Sequence, residues 1–226
     1  MKKIISLALA VAMMVIALAS CSGSGLGSKS KKTTVTEEQW EDNMDSLNYT
    51  MTAVIEYKIS YSYAGESTTQ EQKVSGEVKQ TKDSYYSKSE TKGEDGDVAV
   101  EESWKEKVDG QWYRIKDNGE SVSTTSSGVD TIGDNLESMF DDVDMDFEDA
   151  EYDEDEKAYC IKVENNGIEV EVFLYFEGGD LVKVKSEFAM SESESGYSYS
   201  AEYKYEIKFN NIGSTKVDVP EFTVPK

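Results

Sequence analysis

The chain has 226 residues, 46 of them acidic and 23 basic, with no histidine and two cysteines, for a formal net charge of −23. A surface of that sign repels nucleic acid and anionic bilayers, which excludes nucleic-acid binding. The lack of histidine removes the commonest general base and the commonest metal ligand.

At the N-terminus Lys2 and Lys3 precede an apolar run over residues 4–17, then Leu18-Ala19-Ser20-Cys21. The run is shorter than the roughly 20 apolar residues of a spanning helix, and the order matches a secretory signal peptide over residues 1–20. The last four residues resemble the bacterial lipobox. The resemblance implies cleavage before Cys21, a diacylglyceryl thioether on it, and a chain held on the extracytoplasmic face of the cell membrane. Two acyl chains give the stable anchoring that one does not. With Cys21 so used, Cys160 has no intramolecular partner and packing alone must stabilise the fold.

Residues 21–34 are rich in Gly, Ser and Lys and read as a flexible linker, averaging about 20 Å and reaching at most about 50 Å. Lys29, Lys31 and Lys32 serve either to attract anionic headgroups or only to keep the linker soluble. Residues 35–226 suit one domain with a sizeable core.

Residues 36–47 read as a short helix with Thr36 as N-cap and Trp40, Met44 and Leu47 on one stripe. The period then becomes two. Tyr49, Met51, Ala53, Ile55, Tyr57, Ile59, Tyr61 and Tyr63 alternate with polar residues, Val54 excepted, and predict a long half-buried strand. Polar strands follow over 70–81, 84–91 and 97–108, with a turn at 93–96. Asp109-Gly110 signals a hairpin into Trp112-Tyr113-Arg114-Ile115. Residues 117–128 read as a loop. Val129, Ile132, Leu136, Met139, Phe140 and Val143 mark a second helix capped by Asp130 or Thr131. The alternation around Met145 and Phe147 reads as a strand edge with acids outward. Strands near 159–163, 168–176, 181–190 and 197–209 complete a meander, with turns at 165–167 and 178–180 and a loop at 191–196.

This order resembles the LolA/LppX-like superfamily, and more closely a group of Gram-positive surface lipoproteins. The resemblance rests on Trp40 before Tyr49, on Tyr152-Asp153-Glu154 before Tyr159, and on Phe209-Asn210-Asn211-Ile212-Gly213 followed by Val217-Asp218-Val219-Pro220. It implies an α+β fold: a curved antiparallel sheet, an unclosed barrel, with two short helices across one side. It further implies a lipid or other amphiphile carried in the concavity.

The first and last strands are unusually rich in tyrosine. A wall of such rings suits a ligand cleft with wet edges; strand propensity and the capping of sheet edges explain it as well. On the first reading Tyr57, Tyr61, Tyr199, Tyr203 and Tyr205 bind the ligand. The acidic run 141–156 lacks the glycine and spacing of a calcium loop and reads as a solvated charge run. Cys160 falls out of phase with Tyr159, Ile161 and Val163. Ser28 with Lys31 and Ser89 with Lys92 match a serine–lysine spacing without companion motifs. Arg114 is the orphan cation, gripping an anion or forming an ordinary ion pair. No catalytic residue, cofactor or metal is expected. The alternative function is a surface or envelope-stress lipoprotein that binds another protein through its acidic face or a strand edge.

Overall fold

The computed structural model describes residues 35–63, 66–93, 96–140, 145–165, 168–194 and 197–225. The signal peptide, Cys21, the linker, Ser28 and Lys31 lie outside the described residues. So do residues 141–144 of the acidic run and Val143 of the second helix stripe.

Helix α1 spans Glu37–Met44 and α2 spans Ile132–Met139. Both start at a threonine with a capping box. Thr36 and Gln39 exchange side-chain and backbone bonds in α1, and Thr131 and Asp134 do so in α2. Each reciprocal pair satisfies two backbone N–H groups that an eight-residue helix otherwise leaves open.

Among the described residues eleven strands form one antiparallel sheet. In chain order they are β1 Tyr49–Tyr63, β2 Glu66–Gln80, β3 Ser84–Lys92, β4 Val98–Val108, β5 Gln111–Lys116, β6 Ser121–Thr125, β7 Glu151–Asp153, β8 Ala158–Asn165, β9 Ile168–Glu177, β10 Asp180–Glu194 and β11 Tyr197–Asn210. The spatial order is β6-β5-β4-β3-β2-β1-β11-β10-β9-β8-β7, so two meanders meet where β1 pairs with β11. The fold is α+β, an unclosed antiparallel sheet with two short helices against one face.

Strand period two gives that face Tyr49, Met51, Ile207, Phe209, Val184, Leu174 and Tyr159, all buried. The helices cover them with Trp40, Met44, Ile132 and Leu136. Trp40 is the centre of the contact. Its ring stacks on Phe176 at 5.2 Å, meets Tyr159 edge-on at 5.6 Å, and its indole N–H donates to the Met145 carbonyl at 2.7 Å. Asn43 ties α1 to the β9–β10 turn. Its amide donates to the Gly179 carbonyl at 2.9 Å and its Oδ1 accepts from the Leu181 N–H at 2.8 Å.

The other face carries a second, smaller core. Register places Thr50, Lys79, Tyr86, Trp104, Ile115 and Val122 in one row across six strands. The C-terminal tail follows this row. Thr215 Oγ1 lies 2.9 Å from Thr50 Oγ1, and the Phe222 ring is 6.3 Å from Tyr113. Gly119, at φ +99°, sits so close to the tail that a Cβ there would meet the Glu221 carbonyl. Trp104 and Ile115, in the same row, are buried.

Three expectations need correction. Residues 117–128 are not all loop, because β6 forms at the sheet edge. Its Ser-Val-Ser-Thr-Thr composition gives no apolar alternation, but paired on β5 it needs none. Residues 191–194 continue β10, because Ser191 and Ser193 pair opposite Ser200 and Ser198. Phe147–Asp149 is a 3-10 turn, not a strand edge. It turns Phe147 onto Trp40 at 5.7 Å.

Replacing Asn43 by Ala leaves the Leu181 N–H and the Gly179 carbonyl buried without partners, and should cost about 2 kcal/mol or more. The urea midpoint of the chain without residues 1–21 measures it. A loss below a few tenths of a kcal/mol would refute the clamp.

Candidate functional site

The aromatic face does not end where the helices end. Phe140, at the end of α2, meets Tyr205 edge-on at 5.5 Å, and Tyr205 stacks on Phe188 at 6.0 Å. Phe188 stacks on Tyr203 at 5.0 Å, Tyr203 lies 6.3 Å from Tyr57, and further out Tyr61 lies 5.3 Å from Tyr199. The ladder therefore runs from the helix-covered core to the tips of the β1–β2 and β10–β11 hairpins.

All five expected residues stand on this one face. Cross-strand register makes Tyr57 with Tyr203 and Tyr61 with Tyr199 direct pairs, and puts Ile55 opposite Tyr205. Exposure grows along it. Ile59 is 6 % exposed between the rings, Tyr61 is 40 % exposed and Tyr63 reaches 72 %. The inner rings pack on one another, so the site is a platform of ring faces.

Phe188 is the member that sequence reading missed. A bulge between Leu181 and Lys183 shifts the register, so β10 puts both Leu181 and Val184 inside and simple alternation from Leu181 is broken. Counting from Val184 would have found it. Ser186, buried in the same row opposite Tyr205 and Val172, has a hydroxyl with no hydrogen-bond partner. It is the deepest polar atom of the face.

Charge is segregated across the outer half of the sheet. Beside the ladder β2 presents Glu66, Thr68, Gln70 and Gln72, and β10 presents Phe188, Met190 and Glu192. Neither lysine nor arginine is among these described residues. The opposite face pairs Lys58 with Glu71 at 3.1 Å, Lys73 with Glu56 at 2.7 Å and Lys204 with Glu187 at 3.4 Å. Beyond these pairs lies a hydroxyl array, including Ser60, Ser62, Ser198 and Ser200, around a concavity of about 450 Å³. A second concavity, about 350 Å³, lies between α1, α2 and the 3-10 turn. Glu37, Glu41, Asp134 and Glu137 rim it, which disfavours entry of an anionic headgroup there.

Desolvation sets the electrostatics of the ladder. It raises the phenol pKa values of Tyr57, Tyr203 and Tyr205, and raises Tyr199 further with the help of its neighbouring tyrosines. The Tyr57 hydroxyl donates to Gln72 Oε1. The hydroxyls are thus held neutral, as polar ends on an apolar surface.

The catalytic candidates are not assembled. Ser89 and Lys92 are three apart on β3, so period two sends them to opposite faces. Cys160 is buried, and burial pushes its thiol up to about 11, away from a reactive thiolate. Among the described residues no group of three His, Cys, Asp or Glu side chains is close enough to hold a metal ion. In the acidic run Asp153 Oδ1 accepts the Asp155 and Glu156 N–H groups, which makes it a turn-forming carboxylate. Arg114 is exposed on β5, directly opposite Lys105.

No family model and no curated protein matches the chain. Solved structures with some likeness include an S-type phycobiliprotein lyase from Guillardia theta, at TM-score 0.23 and 8 % identity over 76 % of this chain and 91 % of that one. A putative outer membrane lipoprotein-sorting protein domain from Vibrio parahaemolyticus gives TM-score 0.20 and 8 % identity, covering 81 % and 92 %. A LolA superfamily protein from Nitrosomonas europaea gives TM-score 0.20 and 7 % identity, covering 78 % and 92 %. Likenesses this distant carry no argument about function, which rests on the geometry above.

Two outcomes follow. A phenol whose folded pKa is raised contributes stability that is present below pH 10 and lost as pH climbs through the folded value. The chain should therefore unfold on alkaline titration above pH 10, its inner tyrosines ionising with the loss of structure, as absorbance at 295 nm and circular dichroism report together. Ionisation of every tyrosine near pH 10 without unfolding would contradict this. Cys160 should resist thiol reagents at pH 7.5 until denaturant is added; rapid labelling of the folded chain would contradict its burial.

Proposed function

We propose that the protein is a non-enzymatic, lipid-anchored extracytoplasmic binding protein that holds a lipid or other amphiphile on its tyrosine face. One observation carries this reading: a single continuous aromatic face is covered by helices over one half and open over the other. A purely structural face would be covered throughout or turn polar where cover ends. Here Ile59, Met190, Phe188 and the rings from Tyr57 to Tyr61 continue the apolar surface outward. Phenol bodies give apolar contact and their hydroxyls a wet rim, which matches a molecule with an apolar body and a polar end.

The anchor fits this role. The lipobox-like Leu18-Ala19-Ser20-Cys21 and the linker over 21–34 would hold the domain within about 50 Å of the bilayer, close to a source of amphiphiles. Tyr57, Tyr61, Tyr199, Tyr203 and Tyr205 are the residues proposed to touch the ligand, and Cys21 the residue proposed to carry the lipid.

The test is mass spectrometry of residues 35–226, purified without detergent and examined natively and after organic extraction. A stoichiometric amphiphile is expected, lost in Tyr57→Glu and Tyr203→Glu while circular dichroism stays unchanged. An empty, folded domain would overturn the amphiphile reading and leave the rings as a protein contact. For the anchor, Cys21→Ser should move the protein from the membrane to the soluble fraction; unchanged sedimentation with membranes would refute lipidation at Cys21.

A further inference from the structure

Four cations share one face of the β4–β5 hairpin in this acidic chain. Lys105 and Lys107 on β4 have the same phase as Arg114 and Lys116 on β5, and Lys105 is the direct cross-strand partner of Arg114. Like charges set directly opposite across a ladder are destabilising. The nearby carboxylates are those of Asp130, which acts on Lys105, and of Asp83, whose backbone carbonyl accepts from the Lys107 N–H at 2.9 Å. Among the described residues none of the four cations forms an ion pair, nor do Lys82, Lys92, Lys157, Lys183, Lys185 and Lys216, whereas Lys58, Lys73, Lys79, Lys88, Lys162, Lys204 and Lys208 do.

The surroundings orient the cluster. The Lys105 ammonium sits 5.0 Å from the Tyr85 ring centre and donates to the Gly128 carbonyl at 3.1 Å, while the Lys107 ammonium is 6.0 Å from the Trp112 ring centre. Ring faces thus hold the two lysines in place, and Arg114 and Lys116 stand exposed beside them. Asp130, on the segment that crosses this face, acts on Lys105 electrostatically without closing an ion pair. Along β4 the next carboxylate of the same phase is Glu101, four residues or about 13 Å away. The tail lies on the opposite face; on this one the segment bearing Gly128 half-buries Lys105 and closely approaches Trp112, and Lys107, Arg114 and Lys116 stay exposed.

The geometry points to an anion-binding site on this face, with Arg114 and Lys105 gripping a phosphate group between neighbouring strands, Lys107 and Lys116 adding charge, and Trp112 flanking it. The guanidinium offers paired N–H donors that match two phosphate oxygens, and the ammonium of the adjacent strand serves a third. The site is independent of the tyrosine platform, because it lies on β4 and β5 and uses none of the ladder residues.

The test titrates the full chain, in neutral detergent at low ionic strength, with inorganic phosphate and separately with dihexanoyl phosphatidate. Calorimetry and tryptophan fluorescence read it; Trp40 and Trp104 are buried, so Trp112 is the responsive ring. Saturable binding of at least one probe is expected, weakened roughly tenfold by Arg114→Gln and by Lys105→Gln and screened by salt. Lys58→Gln, which removes one charge from the opposite face, should leave it unchanged. Tighter binding of phosphatidate identifies a lipid headgroup, and equal binding identifies free phosphate. Absence of saturable binding at millimolar concentration of both probes would overturn the site. So would equal binding by folded Arg114→Gln, or an equal loss in Lys58→Gln. The amphiphile reading fails separately, by an empty tyrosine face.

Discussion

The pairing of β1 with β11 is the constraint on which everything else rests. Every other strand pairs with its neighbour in sequence, so each meander would exist as an open ribbon without this seam. The seam runs from Thr50 opposite Asn210 to Tyr63 opposite Tyr197 and sets the two tyrosine rows side by side. Because side chains alternate with a period of two, a slip of one residue would send one row to the lysine-bearing face. Tyr57 with Tyr203, Tyr61 with Tyr199 and Tyr49 against Phe209 at 6.1 Å all report the same register.

Cover is unequal on the two faces, and that asymmetry divides labour. Helices α1 and α2 are only eight residues each, so their stripe of Trp40, Met44, Ile132 and Leu136 covers the inner rows of a sheet whose longest strands have fifteen. The outer rows of β1 and β11 then remain as a platform. On the other face paired charges and serine hydroxyls keep the same stretch wet, which blunts stacking of one sheet on another.

Much of this was legible in the sequence, for identifiable reasons. Thr36 with Gln39 and Trp40 with Met44 are local signals, and the helix follows them. Alternation along the fifteen residues of β1, broken only at Val54, fixes the tyrosine face before any partner is known. What was missed depends on partners. Strand β6 exists because β5 offers it an edge, and residues 191–194 stay extended because β11 lies opposite. The bulge near Leu181 hid Phe188. Arg114 stood out as a lone cation, but its neighbour Lys105 is set by a turn at Asp109 and Gly110, both at positive φ, and by the register that turn imposes.

The C-terminal tail has a consequence for how the molecule comes apart. It packs along the row that holds Trp104 and Ile115, while the helix-covered core on the opposite face depends on β1 and on the strands from β8 to β11. The two cores therefore have separate lids and need not open together. Trimming a few residues past Thr215 would uncover the β3–β6 wing and let it fluctuate as its own unit, with the tyrosine seam intact. Amide exchange would show that wing as the weaker foldon, and a protease acting at the extreme C-terminus would set its lifetime.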